Sequence, residues 1–583
     1  MNLSLTIAAA VVVSADSSVV VRVNQVGYLP DAPKIAVACS LADADSQPRR
    51  FVVRGENGRV VLGPVRVRGA GNFGPCKTTW RLNFTAIRTA GRYVIELSGA
   101  SAHVRIGRDV YAGGADTALY YMREQRSGFN PFFRDSVHRL DGNVIDDSGR
   151  VVKFQPVSGG WADASDYLQY VATSATATYH LLMAYRDHPS VFGDAFAANG
   201  LPGPNGVPDV LDEARHGIEW LLRMFPSDSE LYNQLGDDRD HTYLDLPTTD
   251  SSDYGWGKGK ERPIYACTGR AQGIFAYKNR STGLASTAGK FASVFALAAR
   301  ILPSADTALL RRKAEAAYAL GVAHPGVCQT APGRSPYFYE EENWVDDMEL
   351  AAAELFSLTR RDSLRRSALA FAAREPATPW FGADTARHYE WYPWYNAGHW
   401  SIWRATRGSD RTKMTEYYRR GLAAVAKRAD NGFRVGIPFI WCSNDLMVSF
   451  ASQALLYRRM SGDARYRELE QAAIDWLFGA NPWGVSMVIG YPHDGRWPHD
   501  PHSVVAMQYG PEALTGGLVD GPVYRSIFSS LRGIALRHED SYAPFNTGFV
   551  LYHDDLGDYS TNEPIMDGTA NLAYLLAALA DRR

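Results

Sequence analysis

The sequence predicts a two-domain protein, an N-terminal β-sandwich followed by a larger all-α barrel of paired helices. Its 583 residues are too many for one ordinary core. From Val19 to Ile106 the chain is built of short runs rich in β-branched and aromatic residues. After Asp109 the apolar residues switch to three- and four-residue spacing, the period of helices.

In the first part, Val19–Val23, Lys34–Ala38, Arg50–Arg54, Val65–Val67, Trp80–Phe84 and Arg92–Leu97 read as strands, with Gly, Pro, Asn and Asp between them. Residues 18–107 are assigned to the sandwich. Ahead of it, Leu3–Ala15 is an apolar run closing on Val13-Ser14-Ala15, a small-residue cleavage pattern without the usual basic residues before it. Residues 1–17 are read as a candidate signal peptide, and a secreted or periplasmic protein is expected. Elsewhere no run is long and apolar enough to span a membrane.

Residues 108–583 carry the helical patterns. They lie at Tyr167–Tyr185, Pro208–Met224, Thr287–Ile301, Asp306–Val322, Asp347–Leu358, Ser363–Phe371, Lys413–Lys427, Ser443–Met460, Tyr466–Phe478 and Thr569–Ala580. Pro208 suits a helix start, and Asp212-Glu213 put acid in its first turn. Long aromatic- and Gly-rich loops join these helices, and function is expected on the loops.

A formal net charge of −2 argues against nucleic acid or an anionic membrane as partner. The 14 Trp and 31 Tyr favour a flat, apolar-faced ligand such as a carbohydrate, although large cores use the same residues. Five cysteines, Cys39, Cys76, Cys267, Cys328 and Cys442, show no metal-type spacing. Cys39 and Cys76 are one candidate pair, with buried reduced thiols as the equal alternative.

The chemistry concentrates in two segments. Gly159-Gly-Trp-Ala-Asp-Ala-Ser-Asp-Tyr167 places Asp163 and Asp166 three residues apart, and Asp558-Tyr-Ser-Thr-Asn-Glu563 supplies a distant third acid. Alone, Asp-x-x-Asp is ordinarily a helix cap. With Glu563 it makes the set an inverting glycosidase needs: an ionised carboxylate to activate water and a protonated one for the leaving oxygen.

Several ordered motifs resemble glycoside hydrolase family 9. They are Val23-Asn-Gln-Val-Gly-Tyr-Leu-Pro30, Gln125-Arg-Ser-Gly128, Gly159–Tyr167, Asn205-Gly-Val-Pro-Asp-Val-Leu-Asp-Glu213, Phe478-Gly-Ala-Asn-Pro482 and Asp558–Glu563. The resemblance implies an immunoglobulin-like first domain, an (α/α)6 barrel and no catalytic cofactor. It also implies roles: Asp166 the general base, Asp163 a holder of the nucleophilic water, Glu563 the general acid. Ser165 stands where the family motif has Gly. Where the family carries Pro-His-His-Arg, this chain has Pro498-His499-Asp500, and Gly568 replaces a Tyr five residues after the acid.

These departures touch substrate binding. Asp500 has two readings, a carboxylate bonded to the backbone of a Pro-rich loop or a reader of a cationic amino sugar. Trp161, Trp394, His399 and His499 complete the expected sugar contacts. Glu342, Asp346 and Asp347 resemble a segment that binds structural calcium, with a helix N-terminus bearing acids as the alternative. The expected function is hydrolysis of β-1,4-glucan by a monomer acting on oligo- or polysaccharide. The alternatives are exo-acting removal of glucosamine or glucose, and a non-catalytic carbohydrate-binding protein.

Overall fold

The computed structural model describes residues 18–42, 49–242, 245–303, 306–336, 338–382 and 395–581. Seven strands form the first domain: β1 (Val19–Arg22), β2 (Ile35–Ser40), β3 (Arg49–Gly55), β4 (Val60–Val67), β5 (Thr78–Asn83), β6 (Gly91–Leu97) and β7 (Ala100–Ile106). They make two antiparallel sheets, ordered β1-β2-β5 and β4-β3-β6-β7. Alternate residues point inward, as a half-buried strand requires. Tyr93, Ile95 and Leu97 of β6 meet Ala36, Ala38, Trp80 and Leu82 of the other sheet.

Strand β2 is buried on both faces. Ala36 and Ala38 face the sandwich core, whereas Val37 and Cys39 join the core of the helical domain. Polar contacts finish the same junction. Asn24 Nδ2 donates to Asp475 Oδ1 at 2.9 Å and to the Tyr111 hydroxyl at 3.0 Å, while Asn24 Oδ1 accepts from Val26 N at 3.0 Å. Arg22 Nε donates to the Pro482 carbonyl at 2.9 Å. Burial pushes the Asp475 carboxyl up to about 7, against hydrogen bonds from Gln471 and Asn24.

The second domain holds α1 (Gly114–Glu124), α2 (Val171–Asp187), α3 (Asp209–Met224), α4 (Ala285–Ile301), α5 (Thr307–Ala323), α6 (Val345–Thr359) and α7 (Asp362–Arg374). After the short α8 (Pro379–Gly382) come α9 (Ala397–Ala405), α10 (Ser409–Arg428), α11 (Ser443–Ser461) and α12 (Arg467–Leu477). The short α13 (Val504–Tyr509) and α14 (Arg525–Phe528) precede α15 (Met566–Ala580). Contacts run α15–α2–α4–α6–α9 on the inside, α10 links α9 to α11, and α11 returns to α15. Outside, α1 packs on α15, α3 on α2, α5 on α4, α7 on α6 and α12 on α11. This is a closed double ring of helices.

Inner helices are buried nearly all round, which small residues permit. In α2, Val-Ala-Thr-Ser-Ala-Thr-Ala-Thr leads the helix, and Thr176 and Thr178 donate back to the Ala172 and Ser174 carbonyls. Their hydroxyls are thereby satisfied inside the helix. Outer helices such as α3 bury one face and end in ordinary ways; Asp306 caps α5 through Leu309 N at 2.9 Å.

Two disulfides are present, Cys39–Cys76 within the sandwich and Cys267–Cys328 between loops of the barrel, and Cys442 is buried outside both, its thiol donating to Asp520 Oδ1 at 2.9 Å. The pairing of Cys267 with Cys328 was not foreseen from the sequence. No helix among the described residues is long and apolar enough to cross a membrane.

The junction generates a stability prediction. Asn24→Ala strips a buried Asp475 of one donor, and a loss of about 2 kcal/mol is expected. Urea unfolding midpoints read it, and a loss under about 0.5 kcal/mol would show that the junction does not depend on Asn24.

Candidate active site

The Gly159–Leu168 segment leads into Gln169–Tyr170, a short strand running directly into α2. Gly160 sits at φ 76°, and a Cβ there would come within 2.6 Å of Trp220, so only glycine fits. Gln169 Nε2 donates to the Gly159 carbonyl at 2.8 Å and closes the loop on itself. Arg262 forks onto Asp141 at 2.9 and 2.8 Å and also donates to the Tyr167 carbonyl. The loop is thus pinned from both sides.

Trp161 does not face the cleft. It is fully buried, its indole Nε1 donates to Glu213 Oε1 at 2.8 Å, and Gly217 of α3 leaves room for its ring. The expectation that it contacts sugar is corrected: its polar atom is consumed inside the fold.

Asp163 is buried, with one oxygen accepting from Thr173 Oγ1 and the other from the Tyr339 hydroxyl. Burial, then the neighbouring Asp166 and Asp567, push its pKa well above the ordinary aspartate value. Asp166 is half-buried, accepts from Leu168 N at 3.2 Å on Oδ1, and has His241 Nε2 3.1 Å from Oδ2. His241 Nδ1 lies 3.1 Å from Asp240 Oδ1. Desolvation alone would lower the His241 pKa, but Asp166 and Asp240 outweigh it and hold it well above 6.5. A cationic imidazole therefore stands beside Asp166.

Glu563 reaches the same place from the C-terminal side. Its Oε1 accepts from Ser165 N at 3.1 Å and from the Ser165 hydroxyl. The Met566 N–H donates to the Asp163 carbonyl at 3.0 Å, so the two loops are stitched together. Burial raises the Glu563 pKa; His502 opposes this and Asp166 reinforces it. All three acids foreseen from the sequence share one centre.

Asp558 builds the turn that presents Glu563, accepting from Ser560 N at 2.9 Å, Thr561 Oγ1 at 2.8 Å and the His553 ring, 2.7 Å away. Asp554 accepts from His499 N and Asp500 N, both at 2.9 Å. Asp500 Oδ2 accepts from Leu556 N at 3.1 Å, with His538 3.5 Å away. Of its two readings the backbone-bonded one describes its position. His499 is exposed and lies against Trp497, ring centroids 4.3 Å apart.

His399 is corrected as a sugar contact. It is fully buried with Nδ1 2.6 Å from Glu349 Oε1, packed near Tyr417 and Tyr418. Trp394 lies outside the described residues. The acids read as a calcium segment have protein partners. Lys290 Nζ pairs with Glu341 and, at 2.9 Å, with Asp347, while Glu342 pairs with Arg280 at 3.2 Å and Asp346 accepts from Asn343 at 2.9 Å. Each of the three acids thus has a protein cation or amide beside it, while Asp346 Oδ2 and Asp347 Oδ2 accept no hydrogen bond. Among the described residues no group of three or more His, Cys, Asp or Glu is arranged to hold a metal ion.

The profile of glycosyl hydrolase family 9 matches residues 111–576. The chain belongs to that family. The profile of the cellulase N-terminal ig-like domain matches residues 16–102, so this family 9 glycoside hydrolase carries the immunoglobulin-like domain as well. An endoglucanase C of Cellulomonas fimi is 27% identical over 96% of this chain and 52% of its own length; the chain spans about half of that relative. A xyloglucan-specific endo-β-1,4-glucanase of Bacteroides ovatus is 23% identical over 96% of the chain and 93% of its own length. Among solved structures, a metagenome-derived family 9 endoglucanase superimposes with TM-score 0.72 at 26% identity, covering 96% of this chain and 99% of that one.

Sequence reasoning missed His241, Tyr339 and the part played by Ser165. The first two come from separate loops with no local pattern to mark them. Ser165 did carry a signal, as the one departure inside the Gly159–Tyr167 motif.

Two substitutions separate centre from core. His241→Gln is expected to lower kcat/KM about 10- to 100-fold, with the unfolding midpoint near wild type because the side chain is 41% exposed. Trp161→Phe leaves a buried Glu213 oxygen without its indole donor and should cost about 2 kcal/mol with KM unmoved. Steady-state kinetics paired with urea melts would expose the reverse pattern.

Proposed function

We propose that the protein hydrolyses β-1,4-linked glucans or their oligosaccharides with inversion at the anomeric carbon. The observation that carries this is the stitched centre: Asp163 and Asp166 on one loop and Glu563 bonded to Ser165 between them. Asp166, beside cationic His241, takes a proton from water as its oxygen attacks the anomeric carbon. Asp163, fixed on both oxygens by Thr173 and Tyr339, orients that water. Glu563, held protonated by burial, gives its proton to the departing oxygen. Room for water between base and acid, roughly 6.5–9.5 Å of carboxyl separation, is what this division of labour requires.

Trp441 and Tyr559 supply an aromatic face beside the acid. Their ring centroids are 5.3 Å apart, both are part-exposed, and Trp441 Nε1 is tied to Asp520 at 2.9 Å. Rings of this kind stack on sugar faces, and here they replace Trp161 as the expected platform. The endoglucanase relatives support a glucan substrate. The amino-sugar reading draws no support from Asp500, whose Oδ2 carboxylate oxygen is engaged by the Leu556 N–H.

The test is the anomer first released from cello-oligosaccharides, read by proton NMR. The α-anomer is expected; the β-anomer as first product would refute inversion, and no turnover of any glucan would refute the substrate class. The pH profile is the companion measurement. Because the Glu563 pKa is raised above 4.5 and the acid works only when protonated, kcat/KM should fall as pH rises through that raised value. Glu563→Gln should cut turnover of unactivated glycosides by about a thousandfold or more and abolish that limb.

A further inference from the structure

Ser165 is the position where this chain departs from the glycine of its motif, and its side chain does not point to solvent. Two donors from this one residue, the backbone N–H and the hydroxyl, converge on a single oxygen of Glu563, Oε1. Among the described residues no other protein group hydrogen-bonds the Glu563 carboxyl, so Oε2 is left without a protein donor. Ser165 itself is ordinary backbone, absent from the left-handed positions, so the residue was not forced by the turn.

From this geometry, and resting on the reading of Glu563 as the acid, we infer that Ser165 is a positioning residue that confines the catalytic proton to Glu563 Oε2. An oxygen already receiving two N–H or O–H donors cannot also carry a proton without losing one of them. The proton therefore sits on the opposite oxygen, the one open to the glycosidic oxygen. When it leaves, the new negative charge on the carboxylate is met at once by the two donors on Oε1. The hydroxyl stabilises the product carboxylate more than the starting acid, which makes Glu563 a stronger acid than burial alone would. The same hydrogen bonds are among the influences that hold the Glu563 pKa down, against burial. A chain with glycine here keeps only the N–H.

The experiment compares Ser165→Ala with wild type on two substrates, phenyl β-cellobioside, whose leaving oxygen needs a proton, and dinitrophenyl β-cellobioside, whose leaving group does not. We expect kcat/KM on the phenyl substrate to fall about tenfold and the loss on the dinitrophenyl substrate to be several times smaller. The alkaline limb on the phenyl substrate should move up by about one pH unit, because the carboxylate has lost a donor. Ser165→Gly should give the same pattern and Ser165→Thr, which keeps the hydroxyl, should restore it. Equal losses on both substrates, or a limb that stays in place, would overturn the inference. Glu563→Gln is run beside them. A leaving-group response there, with a uniform one in Ser165→Ala, defeats the positioning role alone. A uniform response in Glu563→Gln defeats the acid assignment and the inference with it.

Discussion

One buried carboxylate, Glu213, holds the catalytic half of the molecule together. It has no exposed surface, takes a forked pair of bonds from Arg126 at 3.0 and 2.8 Å, and takes the Trp161 indole N–H at 2.8 Å. Arg126, Trp161 and Glu213 come from three separate motifs, so three stretches of chain are fixed by one anion. Burial alone would raise its pKa, but Arg126 prevails and Glu213 stays charged. A pair so deep adds little net stability over an apolar substitute, whereas breaking it leaves an unpaired charge. Its value is in placement: with Trp161 anchored, the two aspartates that follow can only be where they are.

The electrostatics above this anchor are lopsided. Burial raises the pKa values of Asp163, Asp445, Asp520 and Glu563, and neighbouring carboxylates raise each further: Asp166 and Asp567 for Asp163, Asp567 for Asp445, Glu563 for Asp520 and Asp166 for Glu563. Imidazoles, not guanidinium groups, answer them near the chemistry: His241 beside Asp166, and His502, held through Nδ1 by the Leu556 carbonyl, beside Glu563. His241, whose pKa Asp166 and Asp240 hold well above 6.5 against desolvation, therefore keeps its positive charge beside the loop of the two aspartates.

How much of this was legible follows from what each residue had to do. The β-to-α switch near Asp109 showed because strand and helix patterns differ in period, and the three acids showed because their neighbours in sequence are also their neighbours in space. His241 and Tyr339 were invisible since they reach the centre from loops far along the chain, where any His or Tyr reads the same. Trp161 and His399 were misread for the opposite reason. A polar aromatic inside a functional motif looks like a ligand contact, but each spends its N–H on a buried glutamate, Glu213 or Glu349. Beside the acids of Asp346-Asp347 the sequence could not show the cation that pairs with Asp347, because Lys290 of α4 lies outside that segment.

The stitch between Ser165 and Glu563 also sets a clock. Its partners are separated by 398 residues, and a ribosome adding about 5–20 residues per second needs roughly 20–80 s to make that stretch. Until residue 475 is made, late in that interval, the sandwich is complete as a sequence but lacks Asp475 for its Asn24, and throughout it the loop bearing both aspartates has no acid opposite it. Catalytic competence is therefore a late property of the nascent chain: every inner helix except α15 is made before Glu563.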